Sequence, residues 1–64
     1  MKSFTVPLES GSNMTFFIGS GHLAVVESKK KPGTCRIIDG IHNNGGWDVT
    51  LTAAQVIKLI KAAA

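Results

Sequence analysis

Apolar residues recur every three or four positions in TAAQVIKLIKAAA, residues 52–64, which is the spacing of one face of a helix. The stripe consists of Ala53, Val56, Ile60 and Ala63, and Ile57 and Leu59 are expected to widen it. Thr52, with Gln55 three residues later, fits a capping box, in which each side chain satisfies a free backbone amide. The pattern predicts one helix over about 53–62.

Before residue 52 the apolar period falls to two, which is typical of strands. Five segments have this period or a short apolar run: SFTVPL, MTFFI, HLAVVES, TCRIID and WDVTL. Turn-forming residues separate them, as in ESGSN, GSG and KKKPG. Strands at such close intervals predict an antiparallel arrangement. We expect an α+β fold in a single domain, 1–64: a small antiparallel β-meander of about five strands over about 3–51, followed by one C-terminal α-helix.

Apolar residues occur on both faces of these strands, and one helix can cover only one face. In HLAVVES either Leu23 and Val25 or Ala24 and Val26 face the core. If the second pair faces outward, it is exposed in a monomer, as is Phe17 beside Phe16. A chain of 64 residues buries only about 60% of its unfolded surface, and one cysteine allows no internal disulfide. The sequence therefore predicts a homo-oligomer.

Composition limits the cellular locations and the classes of partner that the protein can have. A lone cysteine is compatible with a reducing compartment, which predicts a cytoplasmic location. No apolar run approaches the roughly 18 residues of a membrane span, so no membrane partner is expected. The net charge of +3 allows contact with phosphates or acidic surfaces.

A basic cluster gives the first candidate site. It consists of Lys29, Lys30, Lys31 and Arg36. These side chains are candidate phosphate contacts, and Phe16, Phe17 and Trp47 are candidates to stack a base. The alternative is a charged turn that is simply solvated. One hypothesis for function is therefore a small regulator that binds DNA or RNA.

The stretch DGIHNNGGWDV gives the second candidate site, a ligand- or partner-binding loop. Its members are His42, Asn43, Asn44, Gly45, Gly46 and Trp47. Tryptophan is enriched at energetic hot spots, and glycines let a ligand approach the backbone. The alternative is a hairpin turn that needs positive φ angles, followed by a strand in which Trp47, Val49 and Leu51 face inward.

Catalytic and metal chemistry find little support. The histidines, aspartates and single thiol at His22, His42, Asp39, Asp48 and Cys35 lack the spacing of a zinc site. Cys35 lies within a predicted strand and is expected to point inward with Ile37, as a buried structural thiol. No nucleophile, base and orienting group can be assembled. We expect no catalysis, no cofactor and no metal.

Three stretches carry a resemblance to a known family. FFIGSGHLAVVES, GTCRIIDG and VTLTAAQVIKLI are similar to motifs of the small flagellar FlbD-like proteins and of related short proteins in phages and prophages, over roughly residues 14–60. Three features differ from the family pattern: Gly19 replaces a preferred asparagine, Thr52 and Gln55 replace a serine and a glutamate while keeping the cap, and IHNNGG lengthens the turn before the last strand. The resemblance implies a strand-rich core with a capped helix, an origin in a phage or mobile element and, by analogy alone, a flagellar accessory role.

Together these features predict a small non-enzymatic binding module that acts as a homo-oligomer. It would bind a host protein, or capture a small nucleotide-like ligand between subunits. In the second case Trp47 would stack on a base, while the amides of Gly45 and Gly46 and nearby basic side chains would hold phosphate. The DNA- or RNA-binding regulator and the flagellar role are the alternatives.

Overall fold

The computed structural model describes residues 2–19, 23–40 and 45–64, and in these ranges five strands precede one helix. The elements are β1 (Ser3–Pro7), β2 (Asn13–Phe17), β3 (Leu23–Glu27), β4 (Cys35–Asp39), β5 (Trp47–Val49) and α1 (Ala53–Ala63). The predicted α+β fold with a C-terminal helix is confirmed. The last strand ends at Val49, two residues earlier than its apolar pattern suggested.

The strands form two antiparallel sheets, β1–β2 and β3–β4–β5, instead of one continuous meander. The sheets meet where the end of β1 reaches β5. Leu8 forms a bridge with Val49, and the amide of Thr50 donates to the carbonyl of Pro7 at 3.1 Å. The amide of Glu9 also donates to the carbonyl of Asp48, at 3.1 Å. The spatial order of the strands is therefore β2–β1–β5–β4–β3.

The inner faces of both sheets and the helix share one core. Its buried apolar members are Phe4, Val6, Phe16, Cys35, Ile37, Val49 and Val56. Alternation along the strands produces all of this set except the helical Val56, as in β1, where Phe4 and Val6 are buried while their neighbours are exposed. Leu23 and Val25 are the β3 residues that pack against the core, so Ala24 and Val26 lie on the outer face of that strand. Cys35 faces inward with Ile37, as predicted.

The helix begins as its sequence predicted. The hydroxyl of Thr52 accepts a hydrogen bond from the amide of Gln55 at 3.3 Å. The amide of Thr52 donates to Oε1 of Gln55 at 3.0 Å, which completes the capping box. This reciprocal pair satisfies backbone groups that would otherwise lack partners at the start of the helix.

The buried stripe of the helix is narrower than expected. Val56 is fully buried, and Ala53, Ile60 and Ala63 pack against the core. Ile57 and Leu59 are 43% and 36% exposed, so the expectation that they widen the stripe is wrong. They lie on the two flanks of the line of buried residues, about 100° to either side of Val56 or Ile60. Only one line of side chains on this short helix fits into the core.

Apolar residues remain exposed on the outer sides of the strands, as expected for a single copy. Phe17 is 49% exposed, Val26 is 41% exposed, and Ala24 is also exposed. Nowhere in residues 2–19, 23–40 and 45–64 does a helix have the length and hydrophobicity needed to span a membrane.

The capping box makes a specific prediction for stability. Thr52→Ala removes the side-chain acceptor and should lower the free energy of unfolding by about 1 kcal/mol. Thr52→Ser keeps the acceptor and should stay close to the wild type. Urea denaturation followed by circular dichroism measures both variants. Equal midpoints for the alanine and serine variants would show that the cap does not stabilise the helix.

Candidate functional site

Arg36 stands at the centre of the outer face of the β3–β4–β5 sheet. The strand register places it opposite Val26 on one side and opposite Asp48 on the other. Its Nε donates to Oδ1 of Asp48 at 2.9 Å, and its Nη2 donates to Oδ2 at 3.0 Å. The fork matches the carboxylate with two parallel bonds, which fixes both side chains on an otherwise exposed face.

The pair keeps both groups charged. The hydrogen bonds from Arg36 lower the pKa of Asp48, desolvation opposes them, and the charges of Arg36 and Lys30 lower the pKa further. The same bonds and the charge of Asp48 raise the pKa of Arg36. Since more than a third of each side chain is exposed, water and salt weaken their attraction, so the pair's main effect is to fix geometry.

Arg36 also holds the turn that precedes β5. Its Nη1 donates to the carbonyl oxygen of Gly45 at 3.1 Å. One guanidinium therefore connects the sheet, Asp48 and the glycine turn. The sequence treated the basic cluster and the glycine-rich loop as separate candidates, and the structure brings Arg36 and Gly45 into direct contact. His42, Asn43 and Asn44 lie outside the described residues.

Gly46 lies directly against β4. Its φ is 88°, in the left-handed region, and a Cβ there would stand 2.7 Å from the carbonyl oxygen of Ile37. The same Cβ would lie 3.0 Å from side-chain atoms of Arg36 and Ile38. Gly45 has a similar φ of 82°, but a Cβ there would meet open space. The backbone that closely approaches Gly46 therefore belongs to the chain's own strand.

Trp47 packs on the inner side of the sheet. Its ring meets Phe16 edge to face with centroids 5.2 Å apart, and Phe16 stacks on Phe4 at 5.6 Å. Trp47 stays partly exposed. It therefore has a structural role in the aromatic cluster, and only the remainder of its surface is open to a partner.

A cleft of about 280 Å³ opens beside Arg36, at the end of β3. We name it the β3–β4 cleft; its lining consists of Val26, Glu27, Ser28, Lys29, Lys30, Arg36 and Asp48. Three of the four predicted basic residues meet here. Lys31 is the exception, because its Nζ lies 3.5 Å from Oε1 of Glu9 and outside the cleft.

Positive charge in the cleft is concentrated on two lysines. Arg36 and Asp48 neutralise each other across the sheet. Within the part of the chain that the structure describes, no ion pair engages Lys29 or Lys30. Glu27 is the remaining carboxylate in the lining, so the two lysines leave a positive excess.

Cys35 is unsuited to nucleophilic attack. The side chain is fully buried, and desolvation raises the pKa of its thiol. A buried, protonated thiol has little of the thiolate that such chemistry requires. Among residues 2–19, 23–40 and 45–64, no cluster of three histidine, cysteine, aspartate or glutamate side chains could hold a metal ion. Both histidines lie outside those ranges.

Sequence reasoning missed Asp48 as the partner of Arg36 and Val26 as the floor of the cleft. A signal for the first was present. In an antiparallel hairpin that pairs Cys35 with Val49, residues 36 and 48 stand opposite each other on the outer face. Opposite charges at such positions indicate a cross-strand ion pair.

No protein family, no curated protein and no solved structure matches this chain. The resemblance to small FlbD-like proteins therefore rests on its three short motifs alone.

Substitutions at Gly45 and Gly46 should lower the free energy of unfolding by different amounts. Gly45→Ala should cost about 1 kcal/mol, because only its left-handed backbone is strained. Gly46→Ala should cost about 3 kcal/mol, because strain is joined by a clash with a backbone oxygen. Denaturant unfolding compares the two variants directly. Equal losses would show that β4 moves away to admit the methyl group.

Trp47 predicts a loss of stability on truncation. Trp47→Ala should lower the free energy of unfolding by about 3 kcal/mol, at the low end for large aromatics because the ring is only partly buried. Trp47→Phe keeps an aromatic ring against Phe16 and should recover much of that loss. Thermal melting measures both variants, and an unchanged melt for the alanine variant would assign Trp47 to the surface alone.

Proposed function

We propose that this chain is a small non-enzymatic binding module that acts as a homo-oligomer through the outer face of its β3–β4–β5 sheet. The observation that carries the proposal is the β3–β4 cleft. It combines an exposed apolar residue, Val26, with the positive excess that Lys29 and Lys30 leave over Glu27. Concave sites with an apolar floor and a few polar groups are typical of ligand binding.

The difference between the inner and outer faces of the β3–β4–β5 sheet supports a binding site on the outer face. The inner face is filled by the single core, so the surface that it offers a partner is limited to partly exposed side chains such as Trp47. On the outer face, the bonds from Arg36 to Asp48 and Gly45 fix one wall of the cleft before anything binds. A wall that is already ordered loses little conformational freedom on binding, which favours affinity.

A binding role also agrees better than catalysis with the described side chains. Cys35 is the chain's only thiol and it is buried. The ionisable groups of the cleft are two lysines, an arginine–aspartate pair and Glu27, and their net positive charge attracts an anion. Binding, rather than turnover, is the chemistry that such a set supports.

Self-association is supported by size and by exposed apolar surface. The domain has 64 residues, and its exposed apolar side chains include Phe17 and Val26. Val26 is exposed together with Ala24 on the outer side of β3, and apolar surface that a small domain leaves exposed is typical of contact sites. The motif resemblance favours an origin in a phage or mobile element and a place in the cytoplasm of a host cell. The partner would then be a host protein or a small nucleotide-like molecule.

A nucleic-acid regulator is the second candidate. Lys29 and Lys30, which have no ion-pair partner in the described ranges, favour it because phosphate contacts dominate such binding. Affinity for a nucleic acid would fall steeply with salt and rise with the length of the strand. A flagellar accessory role rests on analogy alone.

The proposal predicts the oligomeric state. At micromolar concentration the protein should sediment as a species heavier than its 6.8 kDa chain. Val26→Ser should shift it towards the monomer, because a polar group replaces apolar surface at the contact. Ile57→Ser is the matched control, since Ile57 on the helix is exposed to a similar extent, 43% against 41%.

Analytical ultracentrifugation of the three proteins measures this. A single wild-type species at the mass of one chain would refute self-association. An equal shift in both variants would place the contact elsewhere. Circular dichroism of each variant separates dissociation from unfolding.

A further inference from the structure

We infer that the β3–β4 cleft binds a small phosphate ester of about mononucleotide size, with Lys29 and Lys30 contacting the phosphate and Val26 lying under the organic part. The inference rests on the proposed function and gives its binding site a ligand class. Relative to the predicted basic cluster, it excludes Lys31, reserves Arg36 for a positioning role and adds Val26. It also departs from the predicted nucleotide contacts, because Gly45, Gly46 and Trp47 do not line the cleft.

The size of the cleft sets the size of the ligand. At about 280 Å³ it lies just below the usual range for ligand pockets, roughly 300–1,000 Å³. It is open on the surface of the sheet and has one aliphatic side chain, Val26, as its apolar floor. A compact ligand with one flat or apolar group fits this shape better than an extended one does.

The charges of the cleft set the chemistry of the ligand. The guanidinium of Arg36 already donates to Asp48 and Gly45 through three nitrogens, so it does not offer a free fork to a carboxylate. Lys29 and Lys30 act instead as two mobile point charges, a form in which lysine binds phosphate. A phosphate monoester carries about −1.5 to −2 charge at neutral pH, which matches two lysines better than a carboxylate does.

The loop that carries the lysines is braced. The amide of Ser28 donates to the carbonyl of Thr34 at 3.1 Å, so the β3–β4 pairing continues past the ends of both strands. The amide and hydroxyl of Thr34 both donate to the carbonyl of Lys31, at 3.2 and 2.8 Å. These bonds close the turn, and Lys31 forms an exposed ion pair with Glu9, in the chain after β1. Lys29 and Lys30 therefore extend from a backbone of fixed shape.

The first experiment compares three probes on the wild-type protein: adenosine monophosphate, adenosine and inorganic phosphate. Isothermal titration gives affinities, and amide chemical shifts locate the site. The nucleotide should bind about ten-fold or more tightly than adenosine, because adenosine lacks the charged hydrogen bonds. The largest shifts should fall on residues 26–30. Nucleotide binding no tighter than that of adenosine, or shifts confined to other parts of the chain, would overturn the inference.

The second experiment compares two double variants of equal charge. Lys29→Gln with Lys30→Gln should weaken nucleotide binding about ten-fold or more, because both phosphate contacts are lost. Lys58→Gln with Lys61→Gln removes the same charge from the exposed side of the helix and should change the affinity about two-fold or less. Equal losses in both variants would mean diffuse attraction to a basic protein and would overturn the site.

A third measurement separates the ligand class from the proposed function. Single-stranded oligonucleotides of five and twenty residues are titrated at two salt concentrations. If the longer strand binds more tightly and its binding weakens steeply with salt, while the mononucleotide does not bind, the lysines belong to a nucleic-acid surface and the inference fails. Sedimentation of the lysine variants reports the oligomer independently: loss of nucleotide binding with the oligomer intact leaves the proposed function standing.

Discussion

The pairing of β5 with the end of β1 holds the whole fold together. β5 is only three residues long, yet it connects the two sheets: Val49 pairs with Cys35 on one side and bridges Leu8 on the other. Without this junction, a two-stranded and a three-stranded sheet would each have an apolar face and too few partners to cover it. With it, both faces and the helix close around one core, in which Val49 is fully buried. In a chain of 64 residues with no internal disulfide, that shared core is the main source of stability.

Because the molecule has one shared core, the β3–β4–β5 sheet has a buried inner face and an outer face open to solvent. Alternation along β4 sends Cys35 and Ile37 into the core and leaves Arg36 on the outside. The side chains of the outer face therefore do not pack in the core, and hydrogen bonds fix their geometry instead. Arg36 supplies that order by joining Asp48 and the turn at Gly45. The core stabilises the fold, and the ion pair shapes the surface on which we place the binding site.

Local signals predicted the elements, and contacts between distant parts of the chain decided the rest. The capping pair Thr52 and Gln55 and the helical stripe are set by neighbouring residues, so the sequence located the helix within a residue or two. The junction between the two sheets depends on pairing between residues some forty positions apart, which periodicity cannot reveal. The ion pair of Lys31 with Glu9, which draws one lysine away from the cleft, has the same non-local origin. The sequence could not decide whether Trp47 belongs to the core or to a binding surface. Its alternation with Val49 fits a strand, whereas the glycine-rich residues before it fit a binding loop.

The close contact at Gly46 has a consequence for the comparison of related sequences. Any relative that keeps this register between β4 and β5 must keep glycine there, since a side chain would collide with the carbonyl of Ile37. Evolution would hold that position fixed for a purely architectural reason. Lys29 and Lys30, on an exposed loop, are free to vary among relatives that recognise different molecules. Among such relatives, a glycine at the position of Gly46 would identify a shared fold, and differences at the positions of Lys29 and Lys30 would indicate a change of binding partner.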